Sequence, residues 1–197
     1  MGFDAAHTIS ALSKLALRLM RNANKKEASQ QMDMYFSAKR QTLAQFMEVY
    51  DQQRLHEIHG GSTILFDAMA HQSPQDRYDI VRFLIAQGAE LTGTNGENET
   101  PFHILFSRPK HNMAQTVELT KLLIDAGADI NQPDAKGRVA LQHLISHPKL
   151  TDRAPLYDLL FTRCRLDLSI KNAWGYTPIE LAQKLPYRAE LLRRMTE

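Results

Sequence analysis

The chain has 197 residues, with 24 Lys and Arg against 22 Asp and Glu, a formal net charge of +2. It is 43% hydrophobic and 23% charged, the composition of a folded globular chain, and it is too weakly basic to point to nucleic acid. A lone cysteine rules out a disulfide within the chain and fits a reducing compartment, and no run approaches the ~18 apolar residues of a membrane span.

Taken in order, Asp4 to Met20 places Ile9, Leu12, Leu15, Ala16 and Leu19 on one helical face, with Lys14, Arg18 and Arg21 elsewhere. This predicts an amphipathic helix over residues 1–28 that caps an open end of the fold; a membrane-surface role would want more basic charge. Asp4, Lys14 and Arg18 do not suit a secretory signal, and Ala6 stands where a myristoylation signal wants Ser or Thr, so a cytoplasmic chain is expected. Gln30 to Arg54 reads as a helical pair, with Met34, Tyr35 and Phe36 in one segment and Leu43, Phe46, Met47 and Tyr50 in the next. Thr42-Leu43-Ala44-Gln45 fits a capping box there. Leu55 to Ser62, with Gly60-Gly61, reads as a loop.

A repeated phrase follows. Helix starts at Thr63, Thr100, Val139 and Thr177 lie 37, 39 and 38 residues apart. At Thr100-Pro101-Phe102-His103 the Thr can cap, and Pro sits at the first helical position, where a missing N–H costs nothing. Phe102, Leu105 and Phe106 form an apolar stripe. Ser73-Pro74 starts a helix running to about Gln87, and Val117, Leu119, Leu122 and Leu123 mark another. Gly88 and Gly127 follow these helices, as a left-handed C-terminal cap requires. Thr92–Glu99, Asp134–Arg138 and Asn172–Tyr176 are turn-rich and predict hairpins between units. Thr177-Pro178-Ile179-Glu180 combines a capping box with Pro at the first position, and Tyr187 to Met195 reads as the last helix.

Thr100-Pro101-Phe102-His103, Gly127-Ala128-Asp129-Ile130-Asn131, Gly88-Ala89-Glu90-Leu91 and Gly175-Tyr176-Thr177-Pro178 make the chain resemble an ankyrin-repeat protein over roughly residues 57–195, the family signature being T-P-L-H-x-A at a period of about 33 residues. Each unit here is longer by roughly 4 to 6 residues. The excess is expected between the paired helices, in Gln72–Arg77, Ser107–Gln115 and Ser146–Ala154. Arg165 stands where the family has its capping Gly, and Asn98 where it has the hairpin Gly; Asn tolerates positive φ. The resemblance implies an all-α solenoid of helix-turn-helix units. It divides the chain into the N-terminal helix, 1–28, and an array over 29–197, with a degenerate first repeat at 30–58 and repeats starting near 59, 96, 135 and 173.

No catalytic constellation stands out. His56 and His59 have H-x-x-H spacing, not the H-E-x-x-H of a zinc helix. His143 and His147 are four apart on a predicted helix, but no third ligand has a reason to join them. The resemblance assigns His103 to hydrogen bonding between repeats. Cys164, between Arg163 and Arg165, is a candidate for modest acidification. No catalytic, cofactor or metal site is therefore expected, nor a small-molecule substrate.

Function is expected on a surface. The resemblance implies protein binding through the hairpin tips and the first helices of the pairs. Carried over, the contact residues are Glu97, Glu99, Arg108, Lys136, Arg138, His147, Trp174 and Tyr176. Trp174, the single tryptophan, sits in a turn, where an exposed aromatic is the stuff of interface hot spots. The expected function is a non-catalytic module engaging a specific protein partner, in the narrower form an immunity or inhibitor protein that neutralises a cognate toxin. The alternative is an adaptor or scaffold with the N-terminal helix as a second docking site.

Overall fold

The computed structural model describes residues 34–146 and 153–197, so the expected N-terminal helix and His147 lie outside the described residues. The helices in chain order are α1 (34–40), α2 (Leu43–Val49), α3 (Ile64–Met69), α4 (Pro74–Ala86), α5 (Pro101–Phe106), α6 (Met113–Asp125), α7 (Ala140–Ser146), α8 (Ala154–Arg163), α9 (Pro178–Gln183) and α10 (Ala189–Thr196). Short 3-10 turns lie at Gln52–Arg54 and Pro186–Arg188. The expected last helix thus begins at Ala189, after the second of these turns.

Local chemistry sets most helix starts. Thr42 and Gln45 close a capping box on α2, and Thr177 and Glu180 close another on α9. Ser73 and Asn112 each accept a backbone N–H of the helix they start. Thr100 works differently from the expected cap: the His103 ring nitrogen Nδ1 accepts from the Thr100 backbone N–H at 3.0 Å. At the other ends, Gly88 and Gly127 adopt φ of 93° and 80°, as expected. Asn98 takes φ 58°, the conformation Asn can hold in place of Gly. Arg165 does not imitate glycine. After α8 the chain runs out extended at Cys164, φ −116° and ψ 138°. A Cβ disfavours the left-handed cap, and the neighbouring unit substitutes for it: Asn131 donates to the Arg165 carbonyl at 2.8 Å and accepts from the Asp167 N–H at 2.8 Å.

The helices form two rows. The inner row is α3, α5, α7 and α9, each packed on the next; α2, α4, α6 and α8 make the outer row in the same way, and α10 closes on α9. Between the rows runs one apolar core that includes Ile64, Leu84, Phe102, Phe106, Leu123, Leu144 and Leu160, all fully or nearly fully buried. No single pair could bury both faces alone, so stacking is what makes the fold stable. At the N-terminal end Phe46 and Tyr50 meet the Phe83 ring edge-on, and Tyr35 stacks on His59 with centroids 4.4 Å apart. Phe36 and Met47, in the same helical segments, are exposed.

Two of the expected insertions, Gln72–Arg77 and Ser107–Gln115, are shorter than read, while most of the third, 147–152, lies outside the described residues. Pro74 to Arg77 belong to α4 and Met113 to Gln115 to α6, so much of the excess is outer-helix turn rather than loop. The linker at 107–112 is held in place. Arg77, buried in the core, donates to the Lys110 carbonyl at 2.7 Å, and the His111 ring bonds the Arg108 carbonyl and the Thr116 hydroxyl. Burial pushes the Arg77 guanidinium down to about 10, with the nearby Arg108 charge adding to the shift.

Candidate partner-binding surface

Three hairpins project beside the inner helices, and one device builds all of them. Asn95, Asp134 and Asn172 occupy equivalent positions. Each side-chain Oδ1 accepts two backbone N–H groups, at the second and fourth residues onward, over 2.8 to 3.1 Å. Each residue's own N–H donates to the carbonyl of that fourth residue. This is the Asx turn, in which a short polar side chain satisfies the orphan donors of a tight bend. Adjacent hairpins are tied by Ala135 N–H to the Glu97 carbonyl and Ala173 N–H to the Lys136 carbonyl, both 2.8 Å. Gly137 sits where the last two hairpins touch: its φ is 69°, and a Cβ there would meet the Lys171 carbonyl at 3.2 Å. Sequence reading placed these turns but passed over their organising Asn/Asp, although recurrence at 95, 134 and 172 is a visible signal.

The inner helices bond to the hairpins at one matching position. His103 accepts from Thr100 through Nδ1, so Nε2 carries the proton and donates to the Arg138 carbonyl at 2.9 Å. This is the inter-repeat role the resemblance assigned it. In the next unit Gln142 takes the place of His103, and its amide donates to the Tyr176 carbonyl at 2.8 Å. What differs is the residue before. Val139 replaces the Thr, and the buried Gln142 Oε1 is left without a hydrogen-bond partner. Val139→Thr should supply that donor and a helix cap in nearly the same volume. The expected gain is about 0.5 to 1 kcal/mol in urea unfolding. An unchanged or lower midpoint would show that Oε1 is already satisfied.

His103, Asp134 and His143 come together, a grouping that no spacing along the chain predicts. The rings of His103 and His143 meet edge-on, with centroids 5.4 Å apart. The grouping does not suit a metal. Both ring nitrogens of His103 are committed, and Asp134 is saturated: its Oδ2 takes the Arg138 guanidinium through Nε at 2.7 Å and a terminal nitrogen at 2.6 Å. Burial alone would raise the Asp134 carboxyl, but the Arg138 side chain and the two backbone donors hold it below the usual range. His143 Nε2 lies 3.5 Å from Asp134 Oδ2, without hydrogen-bond geometry. Burial drives its ring down to about 4, helped by the Arg138 and His103 charges and opposed by Asp134, so it is neutral at pH 7.

A cleft of about 390 Å³ opens beside this group. Gln142 and His143 of α7, Arg138, Trp174 and Tyr176 of the two hairpins, and Leu181 of α9 line it. Trp174 is 61% exposed. Tyr176 is half-buried; its hydroxyl accepts from Lys184 Nζ at 2.7 Å, and the same ammonium lies 3.9 Å from its ring centroid. Three residues singled out from sequence, Arg138, Trp174 and Tyr176, therefore converge on one feature. Lys136 is exposed on the neighbouring tip, and Glu97 on the tip before that; Glu99 is half-buried and accepts from Asn95. Arg108 is engaged within the chain, donating to the Ala70 carbonyl and the Ser107 hydroxyl. Cys164 is not acidified: burial raises its thiol, and the Arg163 charge only partly opposes this.

Comparison with known proteins agrees with this architecture. The ankyrin-repeat family model matches residues 97–135. Human rabankyrin-5 is 34% identical over 106 residues, 51% of this chain and 9% of that protein. Human transient receptor potential cation channel subfamily V member 6 is 34% identical over 118 residues, 53% of this chain and 15% of that one. The chain thus spans a small fraction of these relatives. A crystal structure of a functionally unknown protein from Leptotrichia buccalis C-1013-b superposes with a TM-score of 0.70 at 26% identity, covering 85% of this chain and 93% of that one. Stacked helix pairs, hairpins on a shared Asx turn, the Thr-Pro-x-His helix start and these matches identify the chain as an ankyrin-repeat protein.

Proposed function

We propose that this protein binds one specific protein partner through the hairpin tips and the exposed side of the inner helices, centred on Trp174 and Tyr176. Ankyrin repeats are protein–protein interaction modules and generally non-catalytic, which supplies the class. The observation that carries the narrower reading is a large aromatic, Trp174, left 61% exposed in the lining of a preformed cleft. Exposing an indole costs hydrophobic free energy, and aromatic side chains on such clefts supply most of the energy of many interfaces. Glu97 and Lys136 extend the contact along the tips, with Glu99 and Arg138 beside them; His147, outside the described residues, is included on the resemblance alone.

The form of this function we favour is an inhibitor or immunity protein acting in the cytoplasm, for which a rigid, Asx-braced surface suits one-to-one occlusion of a toxin's active site. An adaptor reading is favoured by a different observation: Phe36, Met47 and Ile58 are exposed near the opposite end of the array, where a second partner or residues 1–28 could dock.

Affinity capture from native lysate tests the proposal, using wild type and a Trp174→Ala, Tyr176→Ala double variant matched by circular dichroism. One dominant protein captured by wild type and lost, by tenfold or more, with the variant is the expected outcome. Equal capture by both proteins sinks the assignment to this surface. A captured enzyme whose activity is blocked at one equivalent would identify an inhibitor.

A further inference from the structure

The cleft on α7 and the last hairpin has a chemical character that narrows what it takes. The Trp174 and Tyr176 rings and Leu181 are the apolar part of its lining. Gln142, Ser146 and Asn172 add polar groups to its lining. Its surroundings are cationic. Lys136 and Lys171 are exposed on the two hairpins that flank it, Lys184 covers Tyr176, and Arg138, in the lining, is 27% exposed. Two acids lie nearby: Asp134 is buried against Arg138, and the exposed Glu180, which accepts from the Thr177 N–H, feels the Lys171 and Lys184 charges. A cationic guest would therefore meet Lys136, Lys171, Lys184 and Arg138 against the two carboxylates of Asp134 and Glu180. A guest carrying carboxylates beside an apolar group would find a partner for each part.

We infer that this cleft receives an extended acidic peptide segment of a protein partner, placing one aromatic or large aliphatic side chain between Trp174 and Tyr176 with flanking Asp or Glu against Lys171, Lys184 and Lys136. Arg138, itself paired with Asp134, adds its partly exposed guanidinium to the lining. The volume, about 390 Å³, accommodates a single anchor side chain with its adjoining backbone rather than a domain surface. The inference rests on the binding surface proposed above and adds the chemistry of what it binds.

The test is selection of a random decapeptide display library on the immobilised full chain. Enriched peptides should share Phe, Tyr, Trp or Leu flanked by acids. A fluorescein-labelled consensus peptide should quench emission from Trp174, the only tryptophan. By polarisation, affinity should fall at least tenfold for Trp174→Ala and for a Lys171→Glu, Lys184→Glu double variant, and be largely kept by Trp174→Phe. The substituted side chains are exposed, so folding should survive, and circular dichroism checks it. A Lys- or Arg-rich consensus, an absence of consensus, or binding indifferent to these changes overturns the inference. If lysate capture still depends on Trp174 and Tyr176 while no acidic peptide emerges, the cleft chemistry is wrong and the binding surface stands. If both fail, the surface itself is misassigned.

Discussion

Asp134→Ala is expected to destabilise the protein by about 3 kcal/mol, because the turn loses two backbone hydrogen bonds at about 1 kcal/mol each and the partly exposed Arg138 loses its partner at about 1 more. The carboxylate does two jobs. Oδ1 satisfies the backbone N–H groups of Lys136 and Arg138, both at 2.8 Å, and Oδ2 neutralises the Arg138 guanidinium. Alanine orphans the donors and the cation together. For a chain of this size the melting temperature should drop by roughly 6 to 12 °C. Asp134→Asn should be far milder, about 1 kcal/mol, since an amide oxygen can keep the two backbone bonds. The chain already supports that expectation, for Asn95 and Asn172 make the same turn without a charge. Differential scanning calorimetry of the two variants decides the matter. Equal losses for Ala and Asn would mean that the ion pair, not the Asx turn, holds the hairpin.

Stability should also fall steeply with acid, in a window set by buried histidine rather than carboxylate. The His143 ring titrates near 6.5 when unfolded and at about 4 when folded. Above pH 6.5 both states are neutral and the residue is indifferent. Below it the unfolded chain takes up a proton that the folded chain refuses, so stability drops by up to about 1.4 kcal/mol per pH unit. The full loss, about 3 kcal/mol, is reached near pH 4. His103 adds in the same direction, its ring lowered first of all by burial. Asp134 acts lower still: its depressed carboxyl contributes stability that is present above its unfolded value and lost as the pH falls through its folded one. Urea midpoints at pH 7, 6, 5 and 4 should trace the curve, and His143→Gln should flatten its upper part. A wild-type midpoint equal at pH 7 and pH 5 would show that His143 is not kept neutral.

How the surface is built explains why some of it could be read in advance and some could not. Thr42, Ser73, Asn112 and Thr177 reach only to their own first turn, Gly88 and Gly127 act on their own helix end, and Asn98 sets its own φ. Such effects follow from side-chain chemistry over three or four residues, which a linear sequence displays directly. The repeat multiplied these cues, so the helix pairs and the hairpin positions were legible. Trp174 was legible too, because a lone Trp in a turn has no apolar stripe to belong to.

Other features depend on groups brought together from neighbouring repeats. Arg108 looked like a surface contact because nothing nearby in sequence could hold it; the Ala70 carbonyl that does so belongs to the preceding unit. Phe36 and Met47 were placed in helical segments without a face assigned, and they are exposed because which side of a helix faces the stack is decided by the neighbour. The end of α8 runs extended because Asn131, a repeat away, captures it. His143 acquires its low pKa first from burial in the stack and then from the Arg138 and His103 charges, against the pull of Asp134, and the cleft joins α7 to a hairpin some thirty residues later. The sequence by itself determined the period, the helix boundaries to within a few residues and the placement of the tips, because those follow from bonds within one turn of chain. Only the tertiary structure decided which charges are buried, which aromatics stay exposed and where a cleft opens, because burial and pKa depend on the atoms that stacking supplies from the next repeat.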